Sequence, residues 1–88
     1  MENSILINQR VEVISVFRNG TDPSQICFPA KMKYKNRQVE FSELGLKHPT
    51  VKGQRMIHVF DMSDGISDYR LEFDAEGLTW TLIAIMEG

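Results

Sequence analysis

Lys31, Lys33 and Lys35 stand at every second position of KMKYKNRQVEF, residues 31–41, and Arg37 lies just beyond them. A strand projects alternate residues to one face, so this spacing makes a row of cations on a single surface, the arrangement that phosphate binding requires. The same reading draws Arg37, Lys47, His48, Lys52 and Arg55 toward that surface. Single-strand binders also expose aromatic rings for base stacking, whereas Tyr34, Phe41, Phe60, Tyr69, Phe73 and Trp80 all fall on the expected core side. The row therefore has two readings, a nucleic-acid surface or the wet face of a half-buried strand.

Other chemistry is harder to assemble. DMSDGISD, residues 61–68, gathers three acids around a glycine, but an EF-hand loop opened by Asp61 would put Ile66 at position 6, where the turn needs glycine. The segment reads instead as a turn, and a two-residue loop at Asp64-Gly65 would set Asp61 opposite Asp68, a repulsion for a nearby lysine or a weak cation to relieve. His48 precedes Pro49 in an expected loop and His58 falls on the core face, so neither pairs visibly with Cys27 or a serine as a nucleophile's base. No glycine-rich phosphate loop, His-Glu-x-x-His or Gly-x-Ser-x-Gly occurs. The expectation is a non-enzymatic protein with no metal, cofactor or small-molecule substrate.

Bulk properties agree with a small binding domain. Eighty-eight residues make one domain, 1–88, with room for a single modest core. Cys27 is the sole cysteine, so no internal disulfide can form, and it reads as a small buried hydrophobe. MENSILINQR lacks a basic start followed by an apolar run, and no apolar stretch approaches the roughly 20 residues that span a bilayer. A cytoplasmic location without membrane attachment is the natural expectation. Charge is uneven: residues 1–59 hold nine Lys/Arg against five Asp/Glu, and residues 60–88 hold one against seven. Such a division marks a nucleic-acid surface or simply lets basic strands lie beside acidic ones.

The elements that would position these residues are strands. Ser4 to Arg18 is rich in Ile and Val and reads as one long strand bent near Gln9, followed by turn residues in RNGTDPSQ, 18–25. Ala30, Met32 and Tyr34 alternate with lysines, and a turn at Asn36-Arg37 would place Tyr34 opposite Val39, Met32 opposite Phe41 and Lys33 opposite Glu40. A bulge is expected near Ser42 or Glu43, where the apolar parity slips, and GLKHPTVKGQ, 45–54, reads as a mobile loop. Asp64-Gly65 predicts a hairpin burying Met56, His58, Phe60, Tyr69, Leu71 and Phe73 on one face. DAEG, 74–77, would close the last turn on a glycine with positive φ and bring Leu78, Trp80 and Leu82 opposite Phe73, Leu71 and Tyr69. The fold class is thus all-β: a six-stranded antiparallel meander forming a small, partly open barrel or a strongly twisted sheet. In this register Ile57, Val59, Thr79, Thr81, Ile83 and Ile85 make a second apolar face, to be covered by the N-terminal segment, by the long loop or by a second copy.

Two segments, Pro29-Ala30-Lys31-Met32-Lys33-Tyr34-Lys35-Asn36-Arg37 and Asp68-Tyr69-Arg70-Leu71 with the later Gly77 and Trp80, carry a family resemblance over about half the chain. Together they resemble a small uncharacterised bacterial β domain found alone or at the tail of catalytically inactive relatives of Y-family translesion polymerases. Tyr34 stands where that family usually has Trp, and Asn36 where it usually has Gly. The resemblance implies a bacterial protein with a DNA-repair neighbourhood and brings no catalytic residues. Two functional readings follow from the sequence as a whole. One is an accessory module touching nucleic acid, or a DNA-repair protein, through Lys31, Lys33, Lys35 and Arg37. The other is a self-associating structural or adaptor module that forms a homodimer through Ile57, Val59, Ile83 and Ile85.

Overall fold

The structure is a computed structural model that describes residues 4–17 and 27–87, apart from the side chains at 17, 27, 46–48 and 87. The expected turn at 18–25 and the environment of the Cys27 thiol lie outside the described residues. Seven strands are present among the described residues: β1 (Ser4–Phe17), β2 (Cys27–Tyr34), β3 (Arg37–Glu40), β4 (Glu43–Lys52), β5 (Arg55–Ser63), β6 (Ser67–Asp74) and β7 (Thr79–Glu87). They form one antiparallel sheet in the order β3-β2-β1-β7-β6-β5-β4, curled into a half-barrel. The first and last strands pair with each other, so two meanders meet along β1. Its residues 4–11 pair with β7 and residues 12–17 with β2. A left-handed Asn8 (φ 51°) bends β1 one residue from the expected position.

The curl has a covalent cause. β3 and β4 are the two edges of the sheet, yet only Phe41 and Ser42 separate them in the chain. Six strand spacings of about 4.8 Å would hold the edges of a flat sheet about 29 Å apart, whereas the three peptide steps from Glu40 to Glu43 reach only about 10 Å. The sheet must roll until its edges approach. The linker is bonded to both sides: the Phe41 amide donates to the Ala30 carbonyl (3.0 Å), and the Ser42 amide to the Ser63 carbonyl (2.8 Å).

The seventh strand is the segment expected to be a loop. β4 lies at an edge, so the absent N–H of Pro49 leaves no ladder bond missing on an inner side, and Gly53 (φ 64°) supplies the left-handed residue for a two-residue return at Gly53-Gln54. The bulge falls at Gly45, two to three residues later than expected, where a Cβ would sit 3.2 Å from the Asp61 carbonyl oxygen.

Three turns differ from the expected register while keeping the same faces. Lys35-Asn36 forms the β2–β3 turn, pairing Tyr34 with Arg37, Met32 with Val39 and Lys31 with Glu40. Asp64 folds its carboxylate back onto the Ile66 and Ser67 amides (both 2.8 Å), so four residues, 64–67, separate the paired Ser63 and Asp68, and Met62 pairs with Tyr69 and Phe60 with Leu71. Asp74 likewise caps the Glu76 and Gly77 amides, holding Gly77 inside the turn and leaving Leu78 (φ 56°) to take the left-handed position. Trp80 consequently pairs with Phe73, and Leu82 with Leu71.

Inside the curl, Met32, Val39, Phe60, Met62, Tyr69, Leu71, Trp80 and Leu82 make one core, with Leu71 and Leu82 fully buried. Trp80 packs against Phe60 (5.3 Å) and Phe73 (4.7 Å), and Phe41 meets Tyr69 edge-on (5.5 Å). Of the six residues expected on the buried hairpin face, Phe60, Tyr69 and Leu71 are buried, His58 and Phe73 are half-buried, and Met56 is exposed where the sheet opens.

Leu82→Ala would leave an uncollapsed void against Leu71 and is expected to cost about 3 kcal/mol in urea unfolding. Leu78→Gly relieves a strained, exposed residue and should add about 0.5–1 kcal/mol by the same measurement. A loss on Leu78→Gly would contradict the strained turn.

Candidate nucleic-acid interface

The outer face of the sheet shows how the uneven charge is used. Lys52 on β4 bonds both carboxylate oxygens of Glu72 on β6 (2.8 Å), Arg55 bonds Asp74 (2.7 Å), and Arg70 makes a two-pronged contact with Asp61 (2.8 and 3.2 Å). Asp61 therefore faces Arg70, and Asp68 faces Ser63, which corrects the expected Asp61–Asp68 repulsion and removes the need for a cation there. Exposed pairs of this kind contribute little individually, but their methylene stems cover apolar surface. The Lys52–Glu72 pair spans β5 at Ile57, and Ile57 and Val59 are only 7% and 5% exposed within the single chain.

This answers what covers the second apolar face. Ile85, expected on that face, points inward against the core, because the register between β6 and β7 shifts between Arg70 and Leu71 and leaves Ile83 without a partner on β6. Ala84 takes the outward place opposite Arg70. The four residues expected to share one interface, Ile57, Val59, Ile83 and Ile85, are thus divided between two faces and a bulge.

The basic row is divided as well. Lys31 lies on the solvent side of β2, opposite Ile14 and Glu40, and its ammonium is 3.4 Å from the Glu40 carboxylate. Lys33, on the same face, stands between Glu12 and Gln38 in the ladder without closing an ion pair. Lys35 occupies the first position of the turn and Arg37 the first residue of β3. Both are exposed at the tip of the hairpin. Among the described residues Lys31, Lys52, Arg55 and Arg70 are ion-paired, while Lys33, Lys35, Arg37 and Arg10 close no salt bridge, although Glu12 lies opposite Lys33 and Arg10 is near enough to Asp74 to help lower its carboxyl. Three of those four unpaired cations share one hairpin tip.

The turn itself is strained in favour of that arrangement. Lys35 (φ 50°) and Asn36 (φ 62°) are both left-handed, as a tight I′ hairpin demands. Asn tolerates this conformation, but a lysine there costs about 1 kcal/mol, part of which is offset by its ammonium lying 5.4 Å from the Tyr34 ring centre.

The hairpin tip meets the β5–β6 loop across the open end of the half-barrel. Tyr34, Lys35 and Arg37 from one side and Asp64, Ile66 and Tyr69 from the other line a cavity of about 270 Å³. Tyr34, expected in the core, is only half-buried at this opening. The Tyr69 hydroxyl donates to Asp64 Oδ2 (2.9 Å), while Asp64 Oδ1 accepts the Ile66 and Ser67 amides. Burial, the bond to Asp64 and that carboxylate's negative charge push the Tyr69 pKa up to about 12, with Arg37 pulling the other way. Burial acts to raise the Asp64 carboxyl, but its amide and hydroxyl donors outweigh this and hold it below the usual value. Sequence reasoning had no local signal for this cluster, since Arg37 and Asp64 are joined only by the curl. No helix among the described residues is long and apolar enough to cross a membrane. Comparison with protein-family models, curated proteins and solved structures found no match.

Because the folded pKa of Tyr69 is raised from 10.0 to about 12, its stabilising contribution is complete below pH 10 and lost as pH climbs through about 12. Ultraviolet titration of tyrosinate should find this late step, Asp64→Asn should bring it to lower pH, and Tyr69→Phe should abolish it. A step unmoved by Asp64→Asn would rule out the hydrogen bond as a cause. Asp64 acts in the opposite sense, its contribution being lost as pH falls below 3.8 through its depressed folded value.

Proposed function

We propose that this chain is a non-enzymatic cytoplasmic binding module that holds a nucleic-acid strand against the tip of the β2–β3 hairpin. The observation that carries the reading is the gathering of Lys33, Lys35 and Arg37, exposed and without a salt bridge among the described residues, on one hairpin, while Lys31, Lys52, Arg55 and Arg70 are neutralised by acids of neighbouring strands. Unpaired cations release counterions on meeting phosphate, whereas a paired lysine must first give up its carboxylate. A lysine kept at a strained left-handed position supports the same reading, since glycine would suit the turn better. The family resemblance of the Pro29–Arg37 and Asp68–Leu71 segments adds a DNA-repair setting to the proposal.

Fluorescence anisotropy with labelled DNA and RNA at several salt concentrations tests this. Replacing Lys33, Lys35 and Arg37 together by Gln should weaken binding and reduce the salt slope by about 2, whereas Lys31→Gln should change it little. Lys35→Gly should weaken binding while leaving the melting temperature equal or slightly higher. Wild-type protein that binds no nucleic acid at low salt would end the proposal, and a marked fall in melting temperature for Lys35→Gly would make that lysine structural.

A further inference from the structure

We infer that the cavity between the hairpin tip and the β5–β6 loop seats one unpaired base, so that the strand bound at the tip is single-stranded; this rests on the nucleic-acid reading above. The cavity combines what the sequence pattern alone lacked. Two tyrosines, Tyr34 and Tyr69, line it together with the largely exposed Ile66, and Lys35 and Arg37 stand at its rim. At about 270 Å³ it falls just below the range of roughly 300–1,000 Å³ typical of sites for drug-sized ligands, a size that suits one ring system. Aromatic and apolar walls beside cations suit a base attached to its phosphate, because stacking on a ring is favourable for every base and tolerant of sequence.

The loop brings one carboxylate to the cavity. Asp64 is the acid at the cavity, and both its carboxylate oxygens are already engaged, Oδ1 by the Ile66 and Ser67 amides and Oδ2 by the Tyr69 hydroxyl. Asp64 keeps its charge but turns both oxygens to these donors, so a phosphate at the rim on the hairpin side meets Lys35 and Arg37. A base locked in a duplex could enter only after unstacking and unpairing, at a cost of a few kcal/mol, so the cavity selects strands whose bases are already free.

The test uses the full chain, a short oligothymidylate carrying one 2-aminopurine, the RNA counterpart, and a duplex of the same length. Wild type should bind a single strand about tenfold more tightly than the duplex, with a change in 2-aminopurine fluorescence at saturation. Tyr34→Leu, which keeps an apolar side chain but removes the ring, should abolish most of that preference and leave duplex affinity alone. Ile66→Ala alters an exposed loop residue outside the core and should weaken single-strand binding severalfold. Equal affinity for single strand and duplex, or single-strand binding unchanged in both variants, would overturn the inference while leaving the hairpin as a phosphate-binding surface. Absence of binding to every probe would overturn the hairpin reading and this one together.

Discussion

The two-residue link between β3 and β4 is the constraint on which the architecture depends. It joins strands that the hydrogen-bonding order places at opposite edges, and a chain of that length cannot cross a flat sheet of seven strands. Rolling the sheet solves the geometry and at the same time creates an inside. Phe41, carried by the link, turns inward to meet Tyr69, while its amide and that of Ser42 tie β2 to β5. The apolar faces of β2, β5, β6 and β7 are thereby directed at one another, and burial of that common core opposes the conformational entropy of a small chain.

The same roll determines how charge is distributed. On the outside, basic β4 and the start of β5 lie beside acidic β6, and their long side chains cover Ile57 and Val59 while neutralising one another. The tip of the β2–β3 hairpin meets the β5–β6 loop rather than Glu72 and Asp74, the β6 acids that pair with Lys52 and Arg55, and Lys33, Lys35 and Arg37 close no salt bridge there among the described residues. A protein with a net charge of −2 thus presents a local basic point. Local field at a projecting tip, rather than net charge, is what an approaching polyanion meets within a Debye length.

Turn chemistry links the fold to this surface. Asp64 and Asp74 each use a carboxylate to cap amides of their own loops, lengthening one connection and moving the left-handed residue of the other. Asp64 also receives the Tyr69 hydroxyl, so the loop facing the hairpin is fastened to a core side chain. Such fastening matters at an opening, where few packing contacts are available to hold a loop in place.

By itself the sequence determined the all-β class, the identity of the inward faces and the presence of hairpins, because period-two alternation and Asp-Gly or Asn-containing turns are local properties of the chain. Tyr69, Leu71, Trp80 and Leu82 could be assigned to one face from spacing alone, and a one-residue change at each end of a turn shifts partners without changing faces. Only the tertiary structure decided that residues 45–52 belong to an edge strand, since an edge is a relation to neighbours and an edge strand tolerates the missing N–H of Pro49. It also decided that Ile85 faces inward, through a bulge with no local signature, and which lysines are neutralised, since Lys52 and Glu72 are brought together only across β5. The cavity between Arg37 and Asp64 belongs to the same class: a two-residue link closes the sheet, and closure brings together side chains that no spacing rule connects.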